Sequence, residues 1–199
     1  MALEHALLVS LSERPASGLE LTRRFDRSIG FFWSATHQQI YRVLARMEGS
    51  GWVSREDVAQ SGRPDKKVYA VAPAGHDELR RWLAEPGPVE AFRSELAVRL
   101  RAASYGDRRA VLDQVADHLA DHRTRLAHYE TLAARDFPDG PAGLSPQRLD
   151  VYLVLRGGIR LEQFWVDWLD EYLQAHGATR MVEPELRVVE PVETTGPPR

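Results

Sequence analysis

The chain has 199 residues, 43% of them hydrophobic, with a net charge of −3 and no cysteine. That length and apolar content allow one large domain or two small ones, each with a real core. Disulfides, thiolate metal sites and a cysteine nucleophile are excluded, and there is no apolar run of about 18 residues to span a bilayer.

The stretch from Met1 to His5 has no basic region ahead of an apolar core, so no secretory signal is expected and the chain reads as cytoplasmic. Charge is unevenly placed. Residues 1–82 carry twelve basic and ten acidic side chains, a net +2; the remainder carries fourteen and nineteen, a net −5. The asymmetry allows a DNA-facing N-terminal part.

In chain order, Leu3 to Leu11 has the apolar spacing of a helix (Leu3, Ala6, Leu7, Leu11), which Pro15 ends. Ser17-Gly18-Leu19-Glu20 is a capping box: the Ser17 hydroxyl accepts from the third amide while Glu20 reaches back. The helix it opens is expected to bury Leu19, Leu21 or Thr22, and Phe25, and to stop near Ser28-Ile29-Gly30. After Phe31-Phe32-Trp33, Ser34 is the expected N-cap of a helix from Ala35 to Glu48. Ile40, Val43, Leu44 and Met47 fall on its inner face; Gln38, Gln39, Arg42, Ala45 and Arg46 fall on its outer one. Gly49-Ser50-Gly51 stops it, with a glycine available for a left-handed cap.

Trp52 to Arg55 and Lys67 to Val71 read as short strands joined by a basic hairpin tip, Gln60 to Lys66. A further helix follows Pro73, with Leu79, Trp82 and Leu83 as its apolar side. Glu85-Pro86-Gly87-Pro88 reads as a linker. Beyond it the chain reads as helical: Phe92 to Ser104, then a long helix capped by Asp107 and reaching about Ala134. The last helix runs from Gln147 to about His176 after a loop over 136–146. These helices carry more apolar side chain than they can bury alone, which points to a partner chain. The tail from Met181 is rich in proline and glutamate and reads as disordered. The fold class is therefore mainly α with a small β-wing: a winged helix-turn-helix over 1–85, a helical dimerisation domain over 90–178 and a tail over 181–199.

A helix fits the major groove of B-DNA, and a β-hairpin reaches the flanking backbone or minor groove. Gln38 and Gln39 suit paired hydrogen bonds to adenine; Arg42 and Arg46 suit guanine edges or phosphates. Ser34, Thr36 and His37, at the start of the helix, are candidate phosphate contacts, as are Arg63, Lys66 and Lys67 of the wing.

The stretch Gln39-Ile40-Tyr41-Arg42-Val43-Leu44-Ala45-Arg46-Met47-Glu48-Gly49-Ser50-Gly51-Trp52-Val53 resembles the recognition helix and turn of PadR-like transcriptional regulators. So does the sequel of basic wing, Val68-Tyr69-Ala70-Val71-Ala72-Pro73-Ala74-Gly75, and a helix bearing Leu79 and Trp82. The resemblance spans residues 1 to about 83; residues 92–176 look like the helical domain of the virulence-activator-like subgroup. Tyr41-Arg42 replaces the family's frequent Tyr-Pro, and Ala72-Pro73 its usual Leu-Thr. The resemblance implies a phosphate contact for Tyr41, a homodimer held by C-terminal helices, local repression, and relief by a small molecule.

Other readings compete. His118 and His122 have the i, i+4 spacing of metal ligands, but no zincin glutamate lies between them and His122 falls on the apolar face. No Gly-rich phosphate loop or nucleophile elbow is present, so neither an enzyme nor a cofactor is expected. A winged-helix interaction module without DNA binding is a further alternative. Trp165 and Trp168 could stack an aromatic or cationic effector, although packing in a dimer core is the simpler use of them.

Overall fold

The computed structural model describes residues 2–25, 35–59, 66–87 and 93–177. The expectations placed on Ser34, Arg63 and the tail over 181–199 lie outside the described residues.

The chain opens with α1 (Ala2–Glu13), a two-residue strand β1 (Ala16–Ser17) and α2 (Gly18–Phe25). Ser17 ends the strand and caps the helix at once. Its amide donates to Glu20 Oε2 at 2.8 Å, and the Glu20 amide donates back to Ser17 Oγ at 3.4 Å. The capping box read from the sequence is therefore built. Strand β1 was not expected, because two residues carry no period. Leu19 corrects the sequence reading: it is 48% exposed, whereas Leu21 and Phe25 are buried. Leu21 and Phe25 lie one turn apart on one face, and Leu19 sits two residues before Leu21, on the opposite side.

Helix α3 (His37–Gly49) starts later than the sequence suggested. Its cap is Thr36, whose hydroxyl accepts from the Gln39 amide while the Gln39 side chain accepts from the Thr36 amide. Thr36-His37-Gln38-Gln39 is itself a capping box, and it sets the helix start. Ile40, Val43, Leu44 and Met47 are buried as expected. The C-terminus is a Schellman turn. Trp52 donates to the Met47 carbonyl, Gly51 to that of Glu48, and Gly51 takes a φ of +71°.

Strands β2 (Val53–Val58) and β3 (Lys66–Val71) form the wing, with β3 central in the antiparallel order β1-β3-β2. Val53 faces Val71, Val58 faces Lys66, and Ser17 faces Val68. Lys66, expected at the hairpin tip, thus begins β3. Helix α4 (Pro73–Ala84) turns Gly75 and Leu79 inward, while Trp82, 38% exposed, stacks on His5. Leu83 is 67% exposed, which corrects its placement on the apolar side: although four residues after Leu79, it lies in the last turn of α4, beyond the core. A Cβ at Gly75 would lie 2.1 Å from the Trp52 carbonyl oxygen, so only glycine lets α4 meet the end of the α3 turn. The first core joins α1, α2, α3 and the sheet around Leu7, Leu8, Leu11, Phe25, Ile40 and Leu44.

The C-terminal part has α5 (Glu95–Ala102), a single 3-10 turn (Ala103–Tyr105), α6 (Arg108–Asp136) and α7 (Pro146–Ala175). Ser94, Asp107 and Ser145 cap the three helices with their side chains. Helices α6 and α7 run antiparallel with an apolar cluster at each end. Val115 and Leu119 meet Leu169 and Leu173 beside Leu100 at one end; Tyr129 and Leu132 meet Leu155 and Ile159 beside Phe137 at the other. Between them the buried Glu162 carboxylate takes His122 Nδ1 at 2.5 Å and the Arg125 Nε–H at 3.1 Å. His122 also stacks on Trp165, with centroids 5.0 Å apart. The histidine read as a possible metal ligand thus ties α6 to α7, and no cluster of three metal-ligating groups occurs among the described residues. No described helix is long and apolar enough to cross a membrane.

Candidate nucleic-acid interface

Helix α3 presents His37, Gln38, Tyr41, Arg42 and Ala45 to solvent, opposite its buried row. The residues expected on this surface separate into three kinds. Gln38, Arg42 and, on the wing, Lys67 are exposed and have no polar partner among the described residues. Thr36 and Gln39 are committed to each other by the cap, at 2.8 and 3.3 Å. Arg46 and Lys66 are held by carboxylates from other elements. Arg46 pairs with Glu4 of α1, and Lys66 Nζ stands 2.8 Å from Glu20 Oε1 of α2.

The two carboxylates differ in setting. Glu4 is buried, its side chain only 9% exposed, whereas Glu20 is 39% exposed. Glu20 also accepts from the Ser17 amide and hydroxyl. The Lys66 ammonium, then the Ser17 amide, hold its pKa down at about 2. Neither pairing is legible in the sequence: Glu4 lies 42 residues from Arg46, and Glu20 lies 46 from Lys66. Only the capping role of Glu20 is a local pattern.

Tyr41 has a double setting. Its ring lies over the start of α2, where a Cβ at Gly18 would be 2.4 Å from the ring, and it stands 4.5 Å from the His37 ring. It remains 38% exposed, so it packs α2 against α3 with one edge open. Arg24 fastens the turn after α1 by donating to the carbonyls of Ser10, Arg14 and Pro15. His5, buried, hydrogen-bonds Glu78 at 2.9 Å and stacks on Trp82, which docks α1 on α4. Arg81, and after it His5, hold the Glu78 carboxyl down at about 2.

A cavity of about 650 Å³ lies where the end of α1 and Leu79 of α4 meet the end of α6 and the start of α7. Leu132, Phe137, Val154 and Leu155 give it apolar walls, and Glu13 and Arg148 stand at its edge. Arg148 lies 5.0 Å over the Phe137 ring and donates to the Asp136 carbonyl. Burial pushes the Glu13 carboxyl up, against the opposing pull of Arg24. Trp165 and Trp168 are not among its walls; they form an aromatic ladder with His122 and Phe164 further along α7.

A three-helix unit closed by a three-stranded wing, followed by a long helical hairpin, is the architecture of a winged-helix transcriptional regulator. Residues 7–81 match the family model of the PadR-like transcriptional regulators, and residues 92–176 match that of the virulence activator alpha C-terminal domain. The chain belongs to the PadR-like family, which consists of transcriptional regulators and not enzymes. It is 51% identical over 185 residues to the probable transcriptional regulator Rv1176c of Mycobacterium tuberculosis, covering 88% of this chain and 97% of that one. It is 30% identical to the negative transcriptional regulator PadR of Bacillus subtilis, covering 86% and 95%. Solved structures of that PadR, in complex with operator DNA and with p-coumaric acid, match at 27% identity with TM-scores of 0.74 and 0.66. They cover 88% and 87% of this chain, and 99% and 94% of theirs. The Vibrio cholerae virulence activator AphA matches at 33% identity and a TM-score of 0.72, covering 89% of this chain and 99% of its own.

Proposed function

We propose that the protein is a homodimeric repressor that reads an operator with α3, steadies itself on phosphates with the wing, and lets go when a small molecule binds. The observation that carries DNA binding is the exposed, unengaged set of Gln38 and Arg42 on α3 with Lys67 on the wing. Two long side chains one turn apart suit adjacent base edges, and the lysine suits the backbone. The operator complex of the Bacillus relative supports the same use of this fold. A reader of genomic DNA works in the cytoplasm.

Dimerisation is supported by α7, whose outer face leaves Leu153, Leu161 and Phe164 about half exposed in a single chain. A two-fold dimer would set two recognition helices on the half-sites of a palindrome. The cavity supports effector release. It touches α1 of the DNA-binding part and both long helices, so a ligand there bears on how the two parts sit together. The relative solved with p-coumaric acid makes an aromatic acid the first compound to try. Trp165 and Trp168 are the second place for an effector, favoured by the stacked and partly open Phe164-Trp168 pair.

The test is a fluorescence-anisotropy titration of the full chain on its own upstream intergenic DNA and on an unrelated fragment, at two salt concentrations. Selective binding that weakens with salt supports the reading. Equal or absent binding to both favours a winged-helix interaction module. Adding p-coumaric acid to the formed complex tests release, and quenching of tryptophan fluorescence by the same compound would favour the Trp165 and Trp168 site.

A further inference from the structure

Lys66 opens β3 at the tip end of the hairpin, beyond the point where β1 stops pairing at Ser17 and Val68. Its ammonium lies against the first turn of α2, on Glu20 Oε1. We propose that Lys66 is an exchangeable cation: Glu20 holds it in the free protein, a DNA phosphate takes it on binding, and Glu20 thereby sets the affinity and salt response of the wing. The inference rests on the DNA-binding reading above.

Three observations carry it. Both partners are partly open, with side chains 31% and 39% exposed, so a phosphate can reach the ammonium without unpacking the fold. Glu20 is not stranded when Lys66 leaves, because its other oxygen keeps the Ser17 amide at 2.8 Å and the Ser17 hydroxyl at 3.0 Å. The carboxyl is ionised throughout the physiological range, since its pKa lies at about 2, so it competes with phosphate at every working pH.

Arg46 is the more exposed cation, 52% open, but its partner Glu4 is nearly enclosed. Moving Arg46 to DNA would leave a buried carboxylate without its cation, which is costly. Arg46 is therefore a strut between α1 and α3, and Lys66 is the movable one. Lys67, pointing to the other face of β3, has no carboxylate partner among the described residues and suits a phosphate contact of the ordinary kind.

Ion counting makes the exchange measurable. Each phosphate neutralised by a free cation releases about 0.9 of a counterion. When Lys66 moves from Glu20 to a phosphate, an ion pair that salt itself weakens is broken, so part of that salt dependence is offset. In Glu20→Gln, Lys66 starts unpaired and the full release appears. Glutamine also serves at the third position of a capping box, so α2 keeps its start.

The experiment measures binding of the full chain to its operator and to unrelated DNA across a salt series, for wild type, E20Q, K66A and the double variant. E20Q is expected to steepen the log K against log salt slope, by at most about 0.9. It should also tighten both DNAs by a common factor of about 2 to 10 at low salt. K66A in the E20Q background should reverse both changes, whereas K66A alone should alter the slope far less. An E20Q protein with unchanged melting temperature and wild-type slope and affinity overturns the exchange. So does weaker binding, or a gain that survives in the double variant, which would be mere removal of a negative charge. A wild-type protein without salt-dependent binding to any DNA overturns the DNA-binding reading itself, and the exchange with it.

Discussion

At the scale of single residues, identity alone does not say what a polar side chain is for; its nearest partner does. Gln38 and Gln39 are adjacent and chemically equal, yet Gln39 is consumed by the Thr36 cap, whereas Gln38 is exposed with no polar partner among the described residues. Replacing Gln38 or Arg42 by alanine is expected to cost about 1–3 kcal/mol on the operator and little on unrelated DNA, if each makes a bidentate base contact. Equal loss on both DNAs in the anisotropy titration would reassign the residue to the backbone. Gly18 makes a second test. A methyl group there would run into the Tyr41 ring, so Gly18→Ala should lower stability by about 1–3 kcal/mol. Thermal melts of G18A, Y41A and the pair form a double-mutant cycle, in which G18A should cost less once the ring is gone.

The elements are held to one another by few, long-range polar ties. Helix α1 docks on α4 through His5, Glu78 and Trp82, and α2 meets the wing through Glu20 and Lys66. The Glu20 and Glu78 carboxyls have folded pKa values near 2, below those of the unfolded chain. A depressed carboxyl stabilises the fold above its unfolded value near 4.5 and stops doing so as pH falls toward 2. Stability should therefore be flat from neutral pH to about 5 and decline below it. Glu20 is 39% open and solvent screens its pair, so its contribution is modest; the Glu78 side chain is 13% exposed, but its partner Arg81 is more than half open, which screens that pair too. Glu78→Gln should make the acid limb of a melting-temperature profile shallower; an unaltered limb would assign acid lability to other carboxylates. Elements are legible in the sequence where a pattern repeats within one turn. The buried row of α3 and the capping box of α2 are such patterns. Strand β1 is not legible there, because its two residues become a strand only with β3 beside them.

In the whole molecule, the long α6–α7 hairpin has an apolar cluster at each end and a buried polar tie, Glu162 with His122 and Arg125, between them. Its outer α7 face still exposes Leu161 and Phe164. Phe164→Glu is expected to halve the mass seen by light scattering while leaving the helical circular dichroism intact, and to weaken operator binding by removing the second half-site. A variant that stays dimeric would move the interface elsewhere. Filling the cavity with Leu155→Trp should abolish release by an effector bound there but spare DNA binding, as read by anisotropy with and without p-coumaric acid. Unchanged release would favour the Trp165 and Trp168 ladder.

The amino-acid sequence by itself determined the order of helices and wing, the inward row of α3, the caps at Ser17 and Asp107 and the family to which the chain belongs. All of these depend on residues within about four positions of one another, or on a contiguous motif. Tertiary structure decided which candidate contacts are available. Arg46 meets Glu4 across 42 residues, Lys66 meets Glu20 across 46, and the cavity takes walls from four helices. Such partners share no period along the chain. They are brought together by packing of the apolar faces, which the sequence announces one helix at a time but does not pair.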